Sequence, residues 1–247
     1  MSDIILCKLH IAIICACAYI KERTMVQLKK FQEQTARPLP IIVLADTSGS
    51  MSVEGKIEAL NKGLKDMITS FASESRLRAE IQVSVITFGG SQSALNLPLT
   101  PAHQLQGFTP LVADGMTPLG DALSLASGMI EDKDCIPSRA YRPVIVLVSD
   151  GYPTDDWQAP FARLLNGERS SKATRFAMGI GADADVSMLS DFANDPEAPL
   201  FRAENARDIH RFFRAVTMSV SARSQSATPN QPTPLQITGG DDQDWEF

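Results

Sequence analysis

Two continuous apolar runs, each ending in a carboxylate, constrain the fold of this chain more than any other feature. Residues 41–45 (Ile-Ile-Val-Leu-Ala) lead directly into Asp46-Thr47-Ser48-Gly49-Ser50, and residues 144–148 (Val-Ile-Val-Leu-Val) lead into Ser149-Asp150-Gly151. Strands without polar alternation are typical of parallel sheets that are covered on both faces. We therefore expect both runs to be central, parallel strands of an α/β fold.

The rest of the chain alternates between the periods of helices and strands. Apolar residues three or four positions apart predict helices over 56–75, 118–131, 157–165, 188–193 and 208–220. Further strands are predicted over 79–88, 174–180 and 200–202, with a short antiparallel edge strand over 94–99 that ends at Pro98 and Pro101. This order predicts a doubly wound, mostly parallel Rossmann-like sheet with helices on both faces.

Composition divides the chain into three parts. Residues 1–38 are expected to be an extension and linker, 39–222 a single domain, and 223–247 a disordered tail that is rich in Ser, Gln, Thr and Pro before it becomes acidic. The last seven residues, Asp-Asp-Gln-Asp-Trp-Glu-Phe, are either a solvated end or a docking peptide with two aromatic anchors.

Charge and cysteine usage limit the location and the partners. The net charge is −6 and no Lys/Arg-rich run occurs, so we expect no nucleic-acid partner. Three of the four cysteines precede residue 18, which leaves Cys135 alone in the domain and favours a reducing, cytoplasmic setting. Residues 4–20 are apolar but short for a spanning helix; we expect an extension ahead of a natural start at Met25, with a membrane anchor as the alternative.

Oxygen-bearing side chains follow both strands and the loop before the helix at 118–131. Asp46, Ser48 and Ser50 follow the first strand, Thr117 is in the loop, and Asp150 follows the later strand. Ligands bind at the carboxyl ends of strands in open α/β sheets, and oxygen donors suit hard cations such as Mg²⁺. With only two carboxylates among these five residues, a bound cation would still attract an acidic group from outside.

The order Asp-x-Ser-x-Ser, distant Thr and strand-terminal Asp-Gly resembles the metal-ion-dependent adhesion site (MIDAS) of von Willebrand factor A domains. Motifs at 83–88, 149–157 and 212–216 further resemble the bacterial Y-type proteins of tellurium-resistance operons. The resemblance covers about residues 39–222. It implies metal ligands at Asp46, Ser48, Ser50, Thr117 and Asp150, with Mg²⁺ as the cation and Mn²⁺ or Ca²⁺ as alternatives. It also implies a role in tellurite or wider stress resistance, with a kinase- or phosphatase-like protein partner.

Three alternative interpretations compete with this one. Asp46 and Ser50 could serve only as helix caps, which would not explain three oxygen-bearing loops. A metal-dependent phosphohydrolase would use Asp46 as nucleophile, but it needs a general acid two positions on, where Ser48 stands, so we expect no enzyme. A membrane-anchored adhesion protein would use residues 1–24. Asp155 and Asp156 are expected to cap the helix that begins near Trp157, or to shape the rim of the site.

Overall fold

One six-stranded sheet organises the described part of the chain. The computed structural model describes residues 36–75, 78–194, 200–231 and 235. The strands are β1 (Arg37–Asp46), β2 (Ala79–Gly89), β3 (Gln92–Pro101), β4 (Val144–Ser149), β5 (Thr174–Ile180) and β6 (Phe201–Ala203). Their order in the sheet is β3-β2-β1-β4-β5-β6, and every pairing is parallel except that of β2 with β3.

Within the described residues, five α-helices cover the two faces of this sheet. They are α1 (Lys56–Ser73), α2 (Leu119–Glu131), α3 (Gln158–Asn166), α4 (Val186–Phe192) and α5 (Ala206–Gln225). Because successive strand residues point to opposite faces, Ile41 and Val43 pack with α1 and α5, whereas Ile42 and Leu44 pack with α2, α3 and α4. The predicted fold class, with helices on both faces and an antiparallel edge strand, is confirmed.

The edge strand β3 is longer than the predicted range of 94–99. It runs from Gln92 to Pro101, so Pro98 lies inside the strand instead of ending it. An edge strand needs hydrogen bonds on one side only, and a proline whose missing N–H faces solvent is tolerated there. Pairing with β2 shifts register between Val83 and Val85 and again between Val85 and Ile86.

The last helix also exceeds its predicted range of 208–220. It continues to Gln225, and the Arg223 side chain is buried, with its Nε donating to the carbonyl oxygen of Pro229 and its Nη2 to that of Arg142 at 2.6 Å. Leu235 packs into the core beside α1 and α5. The described fold thus continues beyond residue 222.

Most of the two predicted terminal segments lies outside the described residues. This applies to the expected extension ahead of Met25, for which a membrane anchor at 1–24 was the alternative, and to the acidic run at 241–247. Within the described ranges, no helix has both the length and the apolar character needed to span a bilayer.

Candidate metal centre

The site forms where the chain reverses its winding direction. β1 and β4 are neighbours in the sheet, with Ala45 paired to Val148, yet β1 leads outward to β2 and β4 leads outward to β5. The loops after β1 and β4 therefore diverge and leave a crevice between them, which is the usual ligand position in an open α/β sheet. Asp46 and Asp150 emerge at this crevice.

Asp46 is fully buried at the end of β1. Its Oδ1 accepts a hydrogen bond from the backbone N–H of Ser48 at 2.8 Å, which closes the tight turn after the strand. Burial raises the pKa of the Asp46 carboxyl and the nearby Asp150 adds to that increase, while hydrogen bonds from Ser149 and Ser48 oppose it. Ionised Asp46 is thus costly to bury, and a cation would offset that cost.

A continuous chain of hydrogen bonds joins four of the five predicted ligands. The hydroxyl oxygens of Ser48 and Ser50 lie 3.0 Å apart, and Ser50 donates to Oδ1 of Asp150 at 2.7 Å. Together with the contact between Ser48 and Asp46, this brings two carboxylates and two hydroxyls to one place, although 100 residues separate Ser50 from Asp150.

Thr117, the fifth predicted ligand, is buried and is positioned by its backbone. Its N–H donates to the hydroxyl of Thr154 at 3.0 Å, and its carbonyl oxygen accepts from the Thr154 N–H at 3.0 Å. In the same loop, Gly115 accepts a hydrogen bond from the Gly49 N–H at 3.0 Å. The Thr117 loop is therefore joined to the loops after both β1 and β4, but among the described hydrogen bonds its own hydroxyl is not a member of the chain from Asp46 to Asp150.

Close backbone packing holds the Thr117 loop against the sheet. Gly115 has a left-handed φ of +67° and forms a parallel bridge with Gly90. A Cβ at Gly115 would overlap the Cα of Gly90. Only glycine satisfies both the backbone conformation and this contact.

Two residues that were not predicted as site residues belong to the site. Ser149 donates its hydroxyl to Oδ2 of Asp46 at 2.6 Å, and the Lys56 ammonium lies 2.9 Å from Oδ2 of Asp150. The position of Ser149 beside Asp150 in the sequence was the available signal for the first. Nothing in the sequence around Lys56 indicates that it turns toward residue 150.

Asp155 caps a different helix from the one expected. Its carboxylate accepts from the backbone N–H groups of Gly120 at 3.0 Å and Asp121 at 3.2 Å, at the start of α2. The residue before α3 is Trp157, which makes no side-chain cap. The loop after β4 thereby fixes the helix that follows the Thr117 loop.

The donor set fits a hard cation. Asp46 and Asp150 supply carboxylate oxygens and Ser48, Ser50 and Thr117 supply hydroxyl oxygens, the ligand type that Mg²⁺ and Ca²⁺ take. The described residues hold no cluster of three or more His, Cys, Asp or Glu suited to a metal, so any cation here depends on the hydroxyls.

A separate concave surface lies away from these residues. A groove of 730 Å³ between α1 and α5 is lined by Met67, Phe213 and Met218 among others, and it shares no lining residue with the carboxylate site. We assign the candidate function to the carboxylate site, because the convergent ligand groups lie there.

Fold and site together define a class: a doubly wound α/β domain with carboxylates and hydroxyls gathered at its switch point. The chain belongs to the von Willebrand factor type A domain family, whose model matches residues 41–215. The predicted membership of that family is confirmed. No curated protein matches the chain at a significant level.

Several solved structures resemble the chain in fold. A von Willebrand factor type A protein from Catenulispora acidiphila is 20% identical with a TM-score of 0.58, covering 74% of this chain and 42% of the other. Proximal thread matrix protein 1 from the mussel byssus, in a structure with a zinc-occupied MIDAS motif, is 17% identical with a TM-score of 0.57, covering 74% and 48%. The ArnB paralog VWA2 from Sulfolobus acidocaldarius is 16% identical with a TM-score of 0.54, covering 73% and 45%. The chain spans less than half the length of each. At such identities the likeness shows the fold alone.

Proposed function

We propose that this domain binds partner proteins through a divalent cation held by Asp46, Ser48, Ser50, Thr117 and Asp150. The observation that carries the proposal is the hydrogen-bonded chain from Asp46 through Ser48 and Ser50 to Asp150 at the switch point of the sheet. The zinc in the MIDAS motif of the mussel protein supports a cation at this position of the fold.

The bound ion would supply positive charge for recognition of an acidic side chain. Two carboxylates balance a divalent cation only formally, since hydroxyl ligands are neutral. A partner Asp or Glu would supply an additional carboxylate ligand to the ion. We propose Mg²⁺ as the physiological ion, with Mn²⁺ and Ca²⁺ as alternatives.

We propose a binding role without catalysis. The position two residues after Asp46 is Ser48, whose hydroxyl lies against Ser50, so no carboxylic acid is placed there to protonate a leaving group. Lys56 lies 2.9 Å from Asp150 and forms an ion pair with it.

The proposed biological setting follows the resemblance to the Y-type proteins of bacterial tellurium-resistance operons. The motifs at 83–88, 149–157 and 212–216 support this finer assignment. We propose that the domain acts in a cytoplasmic stress-resistance system with a kinase- or phosphatase-like partner.

The surface around the site favours a partner whose acidic residue has apolar neighbours. Four of the seven exposed large hydrophobic side chains in the described ranges are on the loops that build the site: Val53, Val112, Met116 and Tyr152. Exposed apolar groups concentrated at one site are typical of protein-binding surfaces. We propose that they contact apolar side chains beside the partner's carboxylate.

Titration calorimetry on the full chain tests the cation and its acidic ligand. We expect the parent to bind Mg²⁺, acetate or a glutamate peptide to strengthen that binding, and Asp46→Ala with Ser48→Ala to abolish it. Ser52→Ala is the matched control, because Ser52 is in the same turn but donates to the carbonyl oxygen of Gly49. Equal Mg²⁺ binding by the double variant, or no effect of acidic ligands, would contradict the proposal.

The apolar contact has its own test, in the presence of Mg²⁺. A peptide with leucines on both sides of a glutamate should bind more tightly than one with glycines, and Met116→Ser with Tyr152→Ser should remove that preference. Leu125→Ser is the control, since Leu125 is also exposed but lies on α2. Equal binding of the two peptides would exclude the apolar contribution.

A further inference from the structure

Lys56 forms an ion pair inside the candidate metal centre. Its Nζ lies 2.9 Å from Oδ2 of Asp150, and the two side chains are 14% and 0% exposed. The other carboxylate oxygen of Asp150 accepts the Ser50 hydroxyl. Both oxygens of this predicted ligand are therefore engaged by groups of the protein itself.

Two features of the local structure disfavour the position of Lys56 beside Asp150. It is the first residue of α1, the end of a helix at which the dipole favours negative charge. The turn before it has two successive left-handed residues, Glu54 at φ 56° and Gly55 at φ 69°, and the first is not glycine. Left-handed conformations of this kind persist when surrounding contacts offset their energetic cost. The charge-assisted hydrogen bond from Lys56 to Asp150 is one such contact.

The ammonium group changes the charge that a cation meets. Asp46 and Asp150 together carry two negative charges when ionised, and Lys56 offsets one of them. A divalent cation must then displace the ammonium from Asp150 or bind beside a positive charge. Like charges a few ångströms apart at a partly buried site reduce affinity strongly.

We propose that Lys56 sets a low affinity for free divalent cations and so makes ion binding depend on the partner's carboxylate. This inference rests on the proposed function. An incoming carboxylate adds negative charge beside both the cation and Lys56, so ion and acidic ligand strengthen each other's binding. Lys56 is thus a specificity-determining residue, because it makes the acidic group of the partner part of the ion site.

Calorimetric titration of the full chain with Mg²⁺, with and without acetate, tests this inference. We expect Lys56→Met to bind Mg²⁺ about tenfold more tightly than the parent, or more, and to show a smaller gain from acetate. Lys56→Arg should bind weakly like the parent, because it keeps the charge. Lys62→Met is the matched control, since Lys62 is on the same helix in an exposed pair with Asp66 at 2.8 Å.

The outcomes distinguish the inference from the proposed function. If the parent and Lys56→Met bind Mg²⁺ equally, and acetate strengthens the binding of both, the role of Lys56 is overturned but the proposed function is not. No Mg²⁺ binding by any variant, with or without acetate, would overturn both. Circular dichroism and thermal unfolding verify that each variant is folded, and Lys56→Gln serves as a second neutral substitution.

Discussion

The hydroxyl of Ser149 donates to Oδ2 of Asp46 over 2.6 Å, joining the ends of β4 and β1. Both residues are buried, and Oδ1 of Asp46 accepts the Ser48 N–H. The orientation of the Asp46 carboxylate is therefore set by contacts within the protein. A cation ligand that is held in this way loses little freedom when the ion binds.

Ser149→Ala tests that contact. Loss of the hydroxyl removes a hydrogen bond to a buried carboxylate, so we expect a further rise in the pKa of Asp46, weaker Mg²⁺ binding and a loss of about 1.5–3 kcal/mol of stability. Urea unfolding and calorimetry measure these effects. Ser84→Ala is the control, because Ser84 is a buried strand serine that donates to the Leu97 carbonyl oxygen away from the site. Unchanged Mg²⁺ affinity in Ser149→Ala would show that orientation of Asp46 does not matter.

Glu131→Gln tests the acid dependence of stability. Although partial burial raises the pKa of Glu131, the backbone N–H donors of Ser170 and Arg169 outweigh it, and the pKa lies below its ordinary value of 4.5. A lowered folded-state pKa stabilises the fold above pH 4.5, and this contribution is lost as the pH falls through the folded-state value.

We therefore expect the parent to be more stable than Glu131→Gln at neutral pH, with the difference shrinking in acid. Unfolding midpoints measured from neutral pH to below pH 4.5 provide the test. Glu168→Gln makes the same charge change in the nearby loop. A difference that stays constant with pH would contradict the assignment.

Gly115→Ala and Gly128→Ala should have opposite effects on stability. A methyl group at Gly115 would overlap Gly90 and require a left-handed alanine, so we expect a loss of about 1–3 kcal/mol and weaker Mg²⁺ binding through displacement of the Thr117 loop. At Gly128, inside α2, an added Cβ meets no atom within 4 Å. Alanine there should stabilise the protein by about 0.5–1 kcal/mol. Denaturant unfolding measures both variants. An equal loss of stability in the two would contradict the expected opposite effects.

Arg223 should resist conservative replacement. Burial lowers its pKa to about 10, and its planar guanidinium reaches carbonyl oxygens of Pro229 and Arg142 on two different segments. A lysine ammonium cannot reproduce that geometry, so we expect Arg223→Lys to lose about 2–4 kcal/mol, nearly as much as Arg223→Ala.

Arg163→Lys is the comparison for this residue, since Arg163 is exposed and contacts Ser124 at 3.3 Å. Thermal and urea unfolding measure all three variants. Full stability of Arg223→Lys would mean that charge alone, and not the two-sided contact, is needed at this position.

Local sequence signals predicted the elements well because their causes are local. The buried character of β1 and β4 follows from contiguous apolar residues, and the period of α1 from apolar residues on one face. The predicted bounds of strands and helices were wrong where tertiary contacts outweighed the local sequence preference. Pro98 lies within β3 because the strand is at the edge of the sheet, and α5 continues past residue 220 because Arg223 finds buried partners.

By itself, the sequence determined the class of fold and the chemistry available to the site. The buried strands and the short Asp-x-Ser-x-Ser turn are each formed by adjacent residues, and the residue types of all five proposed ligands can be identified in the sequence. Tertiary structure decided which distant groups meet them. Ser149 on Asp46, Lys56 on Asp150 and Asp155 on α2 depend on strand order and on how the loops close. Those contacts join residues 34 to 103 positions apart, and their geometry exists only once the sheet has formed.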